Sequence, residues 1–293
     1  MHIFVLGGTG SIGSAVVREL VERRHDVWAL ARSETAAAKL REWGAMPIAG
    51  DIAAPARWTL RLPDLDAVVH AACDFNPGMG ETDARLLDAL LAALTAQPKR
   101  PRFIYTGGCW LFGATRGDVA TEAASFRPLP AFAWMVPHLE RILNAREIDG
   151  IVIHPAMVYT PTGGVFLRFA REAVERDAIR VVAGEAVRWP LVHSDDLATL
   201  YAMALERAPV RSSYIGAAID GLAVGRIARA FAARFGTPRQ APQIISADAT
   251  AAELGEWTRG YGLDQLLSGA KARHELGWAP IHLDPEREIA RLP

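Results

Sequence analysis

The most chemically informative residues of this sequence are three glycines at a spacing of three. Gly7, Gly10 and Gly13 join an apolar run at residues 2–6 to a stretch with helical periodicity. Glycines at this spacing permit a tight turn and let a pyrophosphate approach the N–H groups at the helix start. The alternative is a structural turn without a ligand. We interpret the turn as a dinucleotide-binding site. Its predicted contacts are Gly7, Thr9, Gly10, Ser11, Ile12 and Gly13.

The end of the second predicted strand indicates which dinucleotide is bound. Sites that select NAD usually place an acidic residue there, about 20 residues beyond the glycines, to hold the ribose 2′-hydroxyl. This chain has Arg32 followed by Ser33. A guanidinium can bind a 2′-phosphate through two hydrogen bonds and a serine hydroxyl adds a donor, although Arg32 could also be a solvated surface charge. We therefore predict NADP(H) as the cofactor.

The elements that must position these groups alternate between strand and helix. Apolar runs at 2–6, 27–30, 45–49, 67–70, 103–106 and 151–153 predict strands, separated by helical patterns. Mostly continuous apolar strands between helices indicate an α/β fold, a doubly wound parallel sheet of the Rossmann type with helices on both faces. A helix is expected near 137–147, with Pro137 suggesting that it starts later than usual.

The regular alternation of strand and helix patterns ends near residue 160. We predict a dinucleotide-binding domain at 1–160 and a smaller, mainly helical substrate-binding region at 161–293, with segments near 190–216 returning to the sheet. Helices of this region are expected at 165–176, 196–205, 224–235 and 250–261.

Several reactive or aromatic side chains follow predicted strands, where ligands bind in such sheets. Cys73 and Cys109 follow the fourth and fifth strands, and Asp74 lies on the same rim. Asp74 could contact substrate or transfer a proton, although a turn role is the alternative. The predicted substrate pocket comprises Cys109, Trp110, Trp134 and Tyr159.

In order along the chain, six segments resemble the short-chain dehydrogenase/reductase superfamily, in its extended, epimerase/dehydratase-like branch. They are GGTGSIG at 7–13, AGD at 49–51, VVHAA at 68–72, HPAMVYTP at 154–161, PLVHSDDLA at 190–198 and KARHELGWAP at 271–280. The resemblance implies that Asp51 and Ile52 approach adenine, that Ala71 and Ala72 pass the cofactor ribose, and that Thr106, Pro155 and Met157 lie near the nicotinamide. It also implies pairing into homodimers through helices of the sheet domain.

The catalytic residues depart from the family pattern. The family uses a Tyr and a Lys four residues later, plus a Ser or Thr after the fifth strand; the Lys lowers the pKa of the Tyr, so that its phenol can exchange a proton. Alignment places Gly108 at the Ser position, Trp134 at the Tyr position and His138 at the Lys position. Because an indole neither ionises nor usefully donates a proton, we predict that the Tyr–Lys–Ser triad is missing.

Three residues are predicted to supply acid–base chemistry instead: His138, Asp74 and Thr106. Histidine is the residue type most suited to general acid–base chemistry, so His138 could exchange the proton, although it could simply cap or pack the helix end. Thr106 is among the polar residues nearest to the vacated Ser position. His193, with Asp195 and Asp196, is expected to be a connecting segment and helix start, so no metal site is predicted.

Composition limits the partners and the location. The chain has 293 residues, a formal net charge of -1, 51% hydrophobic residues and two cysteines. Near-zero charge gives no general reason to expect nucleic acid or an anionic membrane, and no apolar run is long enough to span a bilayer. The N-terminus does not read as a signal peptide, and two cysteines fit a reducing compartment, so we expect a cytoplasmic protein.

Three functions remain open at this point. The first is an NADP(H)-dependent oxidoreductase or epimerase-like enzyme acting on a small carbonyl, alcohol or sugar-like compound. The second is a non-redox isomerase, cyclase or lyase on the same scaffold. The third, motivated by the missing triad, is a non-catalytic NADP-binding regulator.

Overall fold

The computed structural model describes residues 1–160 and 163–292. The strands are β1 His2–Leu6, β2 Asp26–Ala31, β3 Met46–Ala49, β4 Ala67–His70, β5 Arg102–Thr106, β6 Asp149–Pro155, β7 Met157–Thr160, β8 Gly163–Gly164, β9 Arg180–Val182, β10 Arg188–His193, β11 Ser212–Gly216, β12 Ile219–Ala223 and β13 Gln243–Ile245. The α-helices are α1 Gly13–Glu22, α2 Glu34–Glu42, α3 Met79–Thr95, α4 Met135–Asn144, α5 Phe166–Glu175, α6 Ser194–Arg207, α7 Val224–Phe235, α8 Ala247–Leu254, α9 Ala270–Leu276 and α10 Pro285–Ala290.

Seven parallel strands form the central sheet, in the order β11-β6-β5-β4-β1-β2-β3. The chain builds outward from β1 to β3, then crosses to β4 and builds in the opposite direction. This reversal opens a crevice at the carboxyl ends of β1 and β4, where ligands bind in doubly wound sheets. The predicted Rossmann-type fold, with helices flanking a parallel sheet, is confirmed.

The central strands are continuous apolar runs in the sequence because both faces of the sheet are buried. Ile3–Leu6 and Ala67–Val69 are essentially inaccessible to solvent, because helices cover the sheet. The leucine stripe of α3 packs into this core, as does the apolar face of α1. The stripe of α3 consists of Leu86, Leu87, Leu90, Leu91 and Leu94.

The chain beyond residue 160 contains more strand than its sequence pattern indicated. A four-stranded sheet, β12-β10-β7-β8, and a parallel pair, β13-β9, accompany its helices. Of the segment 190–216, which was expected to return to the central sheet, β11 does so, whereas β10 joins the smaller sheet. The predicted domain boundary falls between residues 160 and 161. Residues 161 and 162, which include Pro161 of the HPAMVYTP segment, are outside the described part of the chain.

Two helix boundaries differ from expectation. The helix α4 begins at Met135, before Pro137, because N–H groups in a first turn need no intrahelical acceptor and a proline is tolerated there. The stretch expected as one helix at 250–261 is divided at Gly255, whose φ of +105° ends α8 before a 3-10 helix at Glu256–Gly262. Among the helices of the described residues, none combines the length and hydropathy needed to cross a membrane.

Candidate active site

The glycine turn between β1 and α1 is packed against the end of β4. A Cβ at Gly7 would lie 2.5 Å from the Ala71 oxygen, and one at Gly13 would lie 2.1 Å from the Gly7 oxygen. The N–H of Gly10 donates to the Gly7 oxygen at 2.9 Å, whereas the N–H groups of Ser11 and Ile12 have no partner among the described residues. Free donors at a helix start fit a diphosphate group. Thr9 is exposed in the same turn.

A cavity of about 500 Å³ lies beyond the ends of β2 and β3 and holds an unusual number of guanidinium groups. Its charged and polar lining residues are Arg32, Ser33, Glu34, Arg41, Asp51, Arg57 and Arg61. Two of the arginines are already engaged: Arg41 pairs with Glu34 at 2.6 Å, and Arg61 donates to the Ala49 oxygen at 2.6 Å.

The remaining two arginines of this cavity are free to bind an anion. Within the described chain, the side chains of Arg32 and Arg57 make no ion pair or hydrogen bond, and both are exposed. Ser33 Oγ accepts from the Ala36 N–H at 3.2 Å and so caps α2, while its hydroxyl proton remains available. These groups fit a 2′-phosphate. Ile52 does not line the cavity and instead packs partly against the core.

A second cavity, of about 440 Å³, lies at the carboxyl ends of β1, β4, β5 and β6. Residues predicted to contact the cofactor line it: Gly10, Ser11, Ile12, Ala71, Ala72, Thr106, Pro155 and Met157. Residues predicted for the substrate pocket line the same space: Cys109, Trp110 and Trp134. The structure therefore brings the predicted nicotinamide side and the predicted substrate side into one cavity, which we call the reaction cavity.

Tyr159 does not reach this cavity, so its predicted pocket role is wrong. Its ring is fully buried and stacks on Phe166 with centroids 4.5 Å apart, and its hydroxyl donates to the His282 oxygen at 3.1 Å. Because β7 belongs to the smaller sheet, the side chain enters the core beneath that sheet rather than the crevice of the central one.

An acidic residue that the sequence analysis missed, Asp83, lies at the wall of the reaction cavity. Its Oδ1 is 2.7 Å from His70 Nε2, and its Oδ2 accepts from the Tyr105 hydroxyl at 2.8 Å and faces His138 Nδ1 at 2.6 Å. Burial by itself raises the pKa of Asp83, but the His70 imidazole and the hydrogen bonds from His138, His70 and Tyr105 outweigh it and hold the pKa below its usual range. The group is therefore a carboxylate at neutral pH.

One sequence signal could have identified Asp83. It precedes Leu86, Leu87 and Leu90 by three, four and seven residues, so it falls on the buried stripe of α3. A carboxylate on an apolar helix face is costly unless it is hydrogen bonded, which marks such a residue for attention.

The three predicted acid–base residues occupy different positions. Thr106 lines the reaction cavity, and its Oγ1 lies 2.7 Å from the Tyr201 hydroxyl. His138 is not a lining residue; among the lining residues it contacts Asp83 and Trp134. Asp74 is also absent from the lining; its Oδ1 accepts from the Asn76 N–H at 3.2 Å, which is the turn role considered as the alternative.

The two thiols of the reaction cavity are protonated at neutral pH. Burial raises the pKa of Cys73 to about 11 and that of Cys109 to about 12. A thiol rather than a thiolate is a weak nucleophile, so both side chains act as apolar lining.

Comparison with known proteins identifies the family. A sequence model of the NAD dependent epimerase/dehydratase family matches residues 3–215, more than half of the chain. The chain belongs to this family. The predicted epimerase/dehydratase-like branch is confirmed.

Two full-length relatives illustrate the range of the family. An uncharacterized protein of Schizosaccharomyces pombe is 27% identical over 289 residues, with 96% of each chain covered. The 4-hydroxy-2-methyl-3-oxo-4-farnesyl-3,4-dihydroquinoline-1-oxide ketoreductase of Stigmatella aurantiaca is 27% identical over 319 residues, which cover 95% of this chain and 92% of the relative.

Solved structures share the fold at low identity. The dTDP-glucose 4,6-dehydratase of Streptomyces venezuelae, solved with NAD, superposes with a TM-score of 0.82 at 18% identity, covering 99% of this chain and 95% of that one. A human epimerase family protein solved with NADPH gives a TM-score of 0.76 at 20% identity, covering 99% and 98%.

Within this family fold, the two residues aligned with the Tyr and Lys lie at the start of α4 and contact each other: Trp134 immediately precedes the helix and His138 is in its first turn. The rings of Trp134 and His138 meet edge to face at an interplanar angle of 64°, with centroids 5.3 Å apart. The Trp134 Nε1–H donates to the Ala131 oxygen at 3.0 Å, so its one polar hydrogen is already engaged. Trp134 therefore acts as a wall of the reaction cavity, and His138 is held by the carboxylate of Asp83.

Proposed function

We propose that this protein is an NADP(H)-dependent oxidoreductase that interconverts a small carbonyl compound and its alcohol. One observation carries the proposal: residues on the cofactor side and aromatic residues on the substrate side line a single cavity at the carboxyl end of the central sheet. A ketoreductase among the full-length relatives supports carbonyl chemistry.

We assign cofactor binding to three groups of residues. The N–H groups of Ser11 and Ile12 would hold the diphosphate, and Arg32 with Arg57 would hold the 2′-phosphate. The backbone near Pro155 and Met157 would face the nicotinamide. When bound, the cofactor supplies the hydride that reaches the carbonyl carbon.

Thr106 is the residue we assign to the carbonyl oxygen. The Tyr201 hydroxyl is buried and has only Thr106 as a partner among the described residues. Because a buried hydroxyl hydrogen needs an acceptor, Tyr201 donates to Thr106, which leaves the Thr106 hydrogen free to point into the cavity. That hydrogen can stabilise the negative charge that develops on the carbonyl oxygen, and a proton from water then converts the alkoxide to the alcohol.

The Asp83 cluster has a positioning role in this proposal. The Asp83 carboxylate, which is ionised at neutral pH, accepts from Tyr105 and is held between His70 and His138, so that it ties β4, β5, α3 and α4 together at the cavity wall. It fixes the wall without contributing a proton, because its pKa lies below the usual range.

The experiment has two stages. Calorimetry first measures the Kd of NADPH and NADH, and NADPH should bind more tightly. The NADPH-loaded protein is then given a panel of ketones and aldehydes, with NADPH consumption matched against alcohol formed. Tight NADPH binding with no consumption across the panel would contradict the oxidoreductase assignment and favour the non-redox or regulatory alternatives.

A further inference from the structure

We propose that the substrate is an uncharged aromatic carbonyl compound of one or two rings, and that the reaction cavity excludes sugar nucleotides. This substrate class rests on the proposed function, since it names what the same cavity reduces. Two properties of the cavity carry it: the aromatic side chains on its substrate side, and the near absence of charge among its described lining residues.

Aromatic side chains form a continuous surface on the substrate side, which we call the aromatic wall. Its members are Phe75, Trp110, Phe132, Trp134, Trp257 and Tyr261. Trp110 is at its centre, with ring centroids 5.5 Å from Phe132, 6.1 Å from Trp257 and 5.7 Å from Tyr261. These separations are typical of aromatic pairs, and a flat ring system can extend the same packing.

The opening of the reaction cavity is also lined by an aromatic side chain, that of Phe75. Phe75 is 49% exposed, and its φ of +55° is an uncommon backbone conformation for a bulky residue. Its ring contacts Trp257 with centroids 5.3 Å apart. An exposed phenylalanine held in a left-handed conformation against a tryptophan offers an apolar surface that an aromatic substrate would cover.

Charge argues against a nucleotide sugar in this cavity. Its described lining residues include no Lys or Arg, and the carboxylate of Asp83 lies 2.7 Å from the imidazole of His70, which lines the same cavity. A substrate diphosphate would need cationic side chains or free N–H groups, and the free N–H groups of Ser11 and Ile12 are already assigned to the diphosphate of the cofactor. The guanidinium of Arg168 lies 5.2 Å from the Tyr261 ring centroid, but Arg168 is not a lining residue and has the Glu172 carboxylate 3.6 Å away.

The cavity that we assign to the 2′-phosphate of the cofactor has a different lining. The cavity beyond β2 and β3 places Arg32 and Arg57 together with no ion-pair partner among the described residues. The reaction cavity offers no comparable pair within the described chain, and its volume of about 440 Å³ must also admit the nicotinamide. The remaining space suits a compact, neutral ring compound.

The binding test uses the full-length protein saturated with NADP⁺, so that no turnover occurs. Calorimetry measures the Kd of a bicyclic aryl ketone, the same ketone bearing a carboxylate, and dTDP-glucose. We expect the neutral ketone to bind about tenfold or more tightly than its carboxylated analogue, the difference of about 1.4 kcal/mol that burial beside Asp83 should at least impose, and dTDP-glucose not to bind. Binding of dTDP-glucose, or of none of the three, would refute the substrate class.

Turnover with NADPH separates this inference from the proposed function. Reduction of a different carbonyl class, with the aryl ketone neither bound nor reduced, would refute the aromatic substrate and leave the oxidoreductase assignment intact. Binding of the aryl ketone without reduction of any carbonyl would refute the oxidoreductase and leave the aromatic site intact.

Substitutions in the aromatic wall test whether these side chains bind the aryl ketone. Trp257→Ala and Phe75→Ala should each raise KM for the aryl ketone about tenfold, since loss of an aromatic contact costs on the order of 1 kcal/mol, and leave the Kd of NADPH unchanged. Trp43→Ala, which removes a tryptophan outside both cavities, is the matched control. An unchanged KM in both wall variants would overturn the assignment of the wall.

Discussion

At the residue scale, the site depends on hydrogens that have no other acceptor and charges that have no other partner. In our proposal Tyr201 donates to Thr106 and leaves the Thr106 hydroxyl hydrogen for a ligand, and no described residue pairs with the guanidinium groups of Arg32 and Arg57. Groups already satisfied inside the protein, such as the Trp134 N–H, gain little from a ligand.

The role of Thr106 is tested with one variant that keeps the shape of the side chain and another that keeps its hydroxyl group. Thr106→Val should lower kcat by about 10²-fold, as expected when one donor to a developing oxyanion is removed, with a smaller change in KM. Thr106→Ser should retain most of the activity because it keeps the hydroxyl. Steady-state kinetics with the best substrate from the panel give kcat and KM for both variants. Equal losses of kcat in the two variants would indicate that Thr106 has a packing role instead.

Arg57 is tested through cofactor selectivity. Arg57→Ala and Arg32→Ala should each weaken NADPH binding by about 10- to 100-fold, since a charge-assisted hydrogen bond contributes about 1.5–3 kcal/mol, and barely alter NADH binding. Arg41→Ala is the internal comparison: it lines the same cavity but is already paired with Glu34. Calorimetric titration with both cofactors provides the measurement, and equal weakening of NADPH and NADH would remove Arg57 from the phosphate site.

His154 provides a prediction of pH dependence. The side chain is buried between Phe112 and Phe126, and burial lowers its pKa from 6.5 to about 3. Folding therefore favours the neutral imidazole: that advantage is complete above pH 6.5 and is lost progressively as the pH falls toward 3.

We expect the free energy of unfolding to fall with decreasing pH below 6.5, with His154 contributing up to about 1.4 kcal/mol per pH unit. In His154→Leu, which cannot be protonated, that slope should be shallower between pH 6 and pH 4. Urea unfolding at several pH values measures both slopes. Parallel curves for the two proteins would show that His154 is not responsible.

At the scale of elements, the β1–α1 turn combines a packing requirement with a binding surface, and different glycines serve each. A Cβ at Gly13 would lie 2.1 Å from backbone oxygen, whereas one at Gly10 would lie 3.3 Å from the nearest such atom. The first position cannot accept a side chain without moving the turn, while the second can do so with a small displacement.

This difference predicts separable effects of two alanine substitutions. Gly13→Ala should destabilise the protein by about 1–3 kcal/mol or more, because overpacking moves the backbone. Gly10→Ala should leave the unfolding temperature of the cofactor-free protein nearly unchanged but weaken NADPH binding, since its methyl group would stand where the diphosphate approaches. Thermal unfolding with and without NADPH distinguishes them, and a large loss of stability in Gly10→Ala would contradict the assignment.

At the scale of the whole molecule, α6 joins the C-terminal segment to the rest of the fold. The carboxylate of Asp196, buried in the first turn of α6, accepts from the N–H groups of Ile281 and His282 at 3.0 and 2.9 Å. Its backbone oxygen accepts from the Trp278 indole at 2.8 Å. One residue thus fixes the segment that precedes α10.

Asp196→Asn should destabilise the protein by about 1–3 kcal/mol, because the amide presents a donor to one of the two N–H groups and leaves it unsatisfied. The neighbouring Asp195→Asn is the control, since Asp195 is largely exposed. Limited proteolysis should cut the Asp196→Asn protein near its C-terminus first. Equal stability and equal cleavage in the two variants would show that the carboxylate does not anchor the segment.

The sequence by itself determined the glycine turn, the doubly wound sheet and the family, because each is encoded in local spacing. Glycines three apart, apolar runs of strand length and one apolar helix stripe need no knowledge of distant residues. The same local logic placed Arg32 and Ser33 at the end of β2. It failed for Tyr159, whose neighbourhood depends on which sheet its strand joins.

Only the tertiary structure decided how distant parts of the chain combine. Arg57 reaches the cavity of Arg32 through a crossover, Asp83 meets His138 across a separation of 55 residues, and Trp257 completes a wall that begins at Phe75. Such contacts depend on how helices and loops pack on the sheet, and that packing is set by burial summed over the whole core rather than by any local pattern.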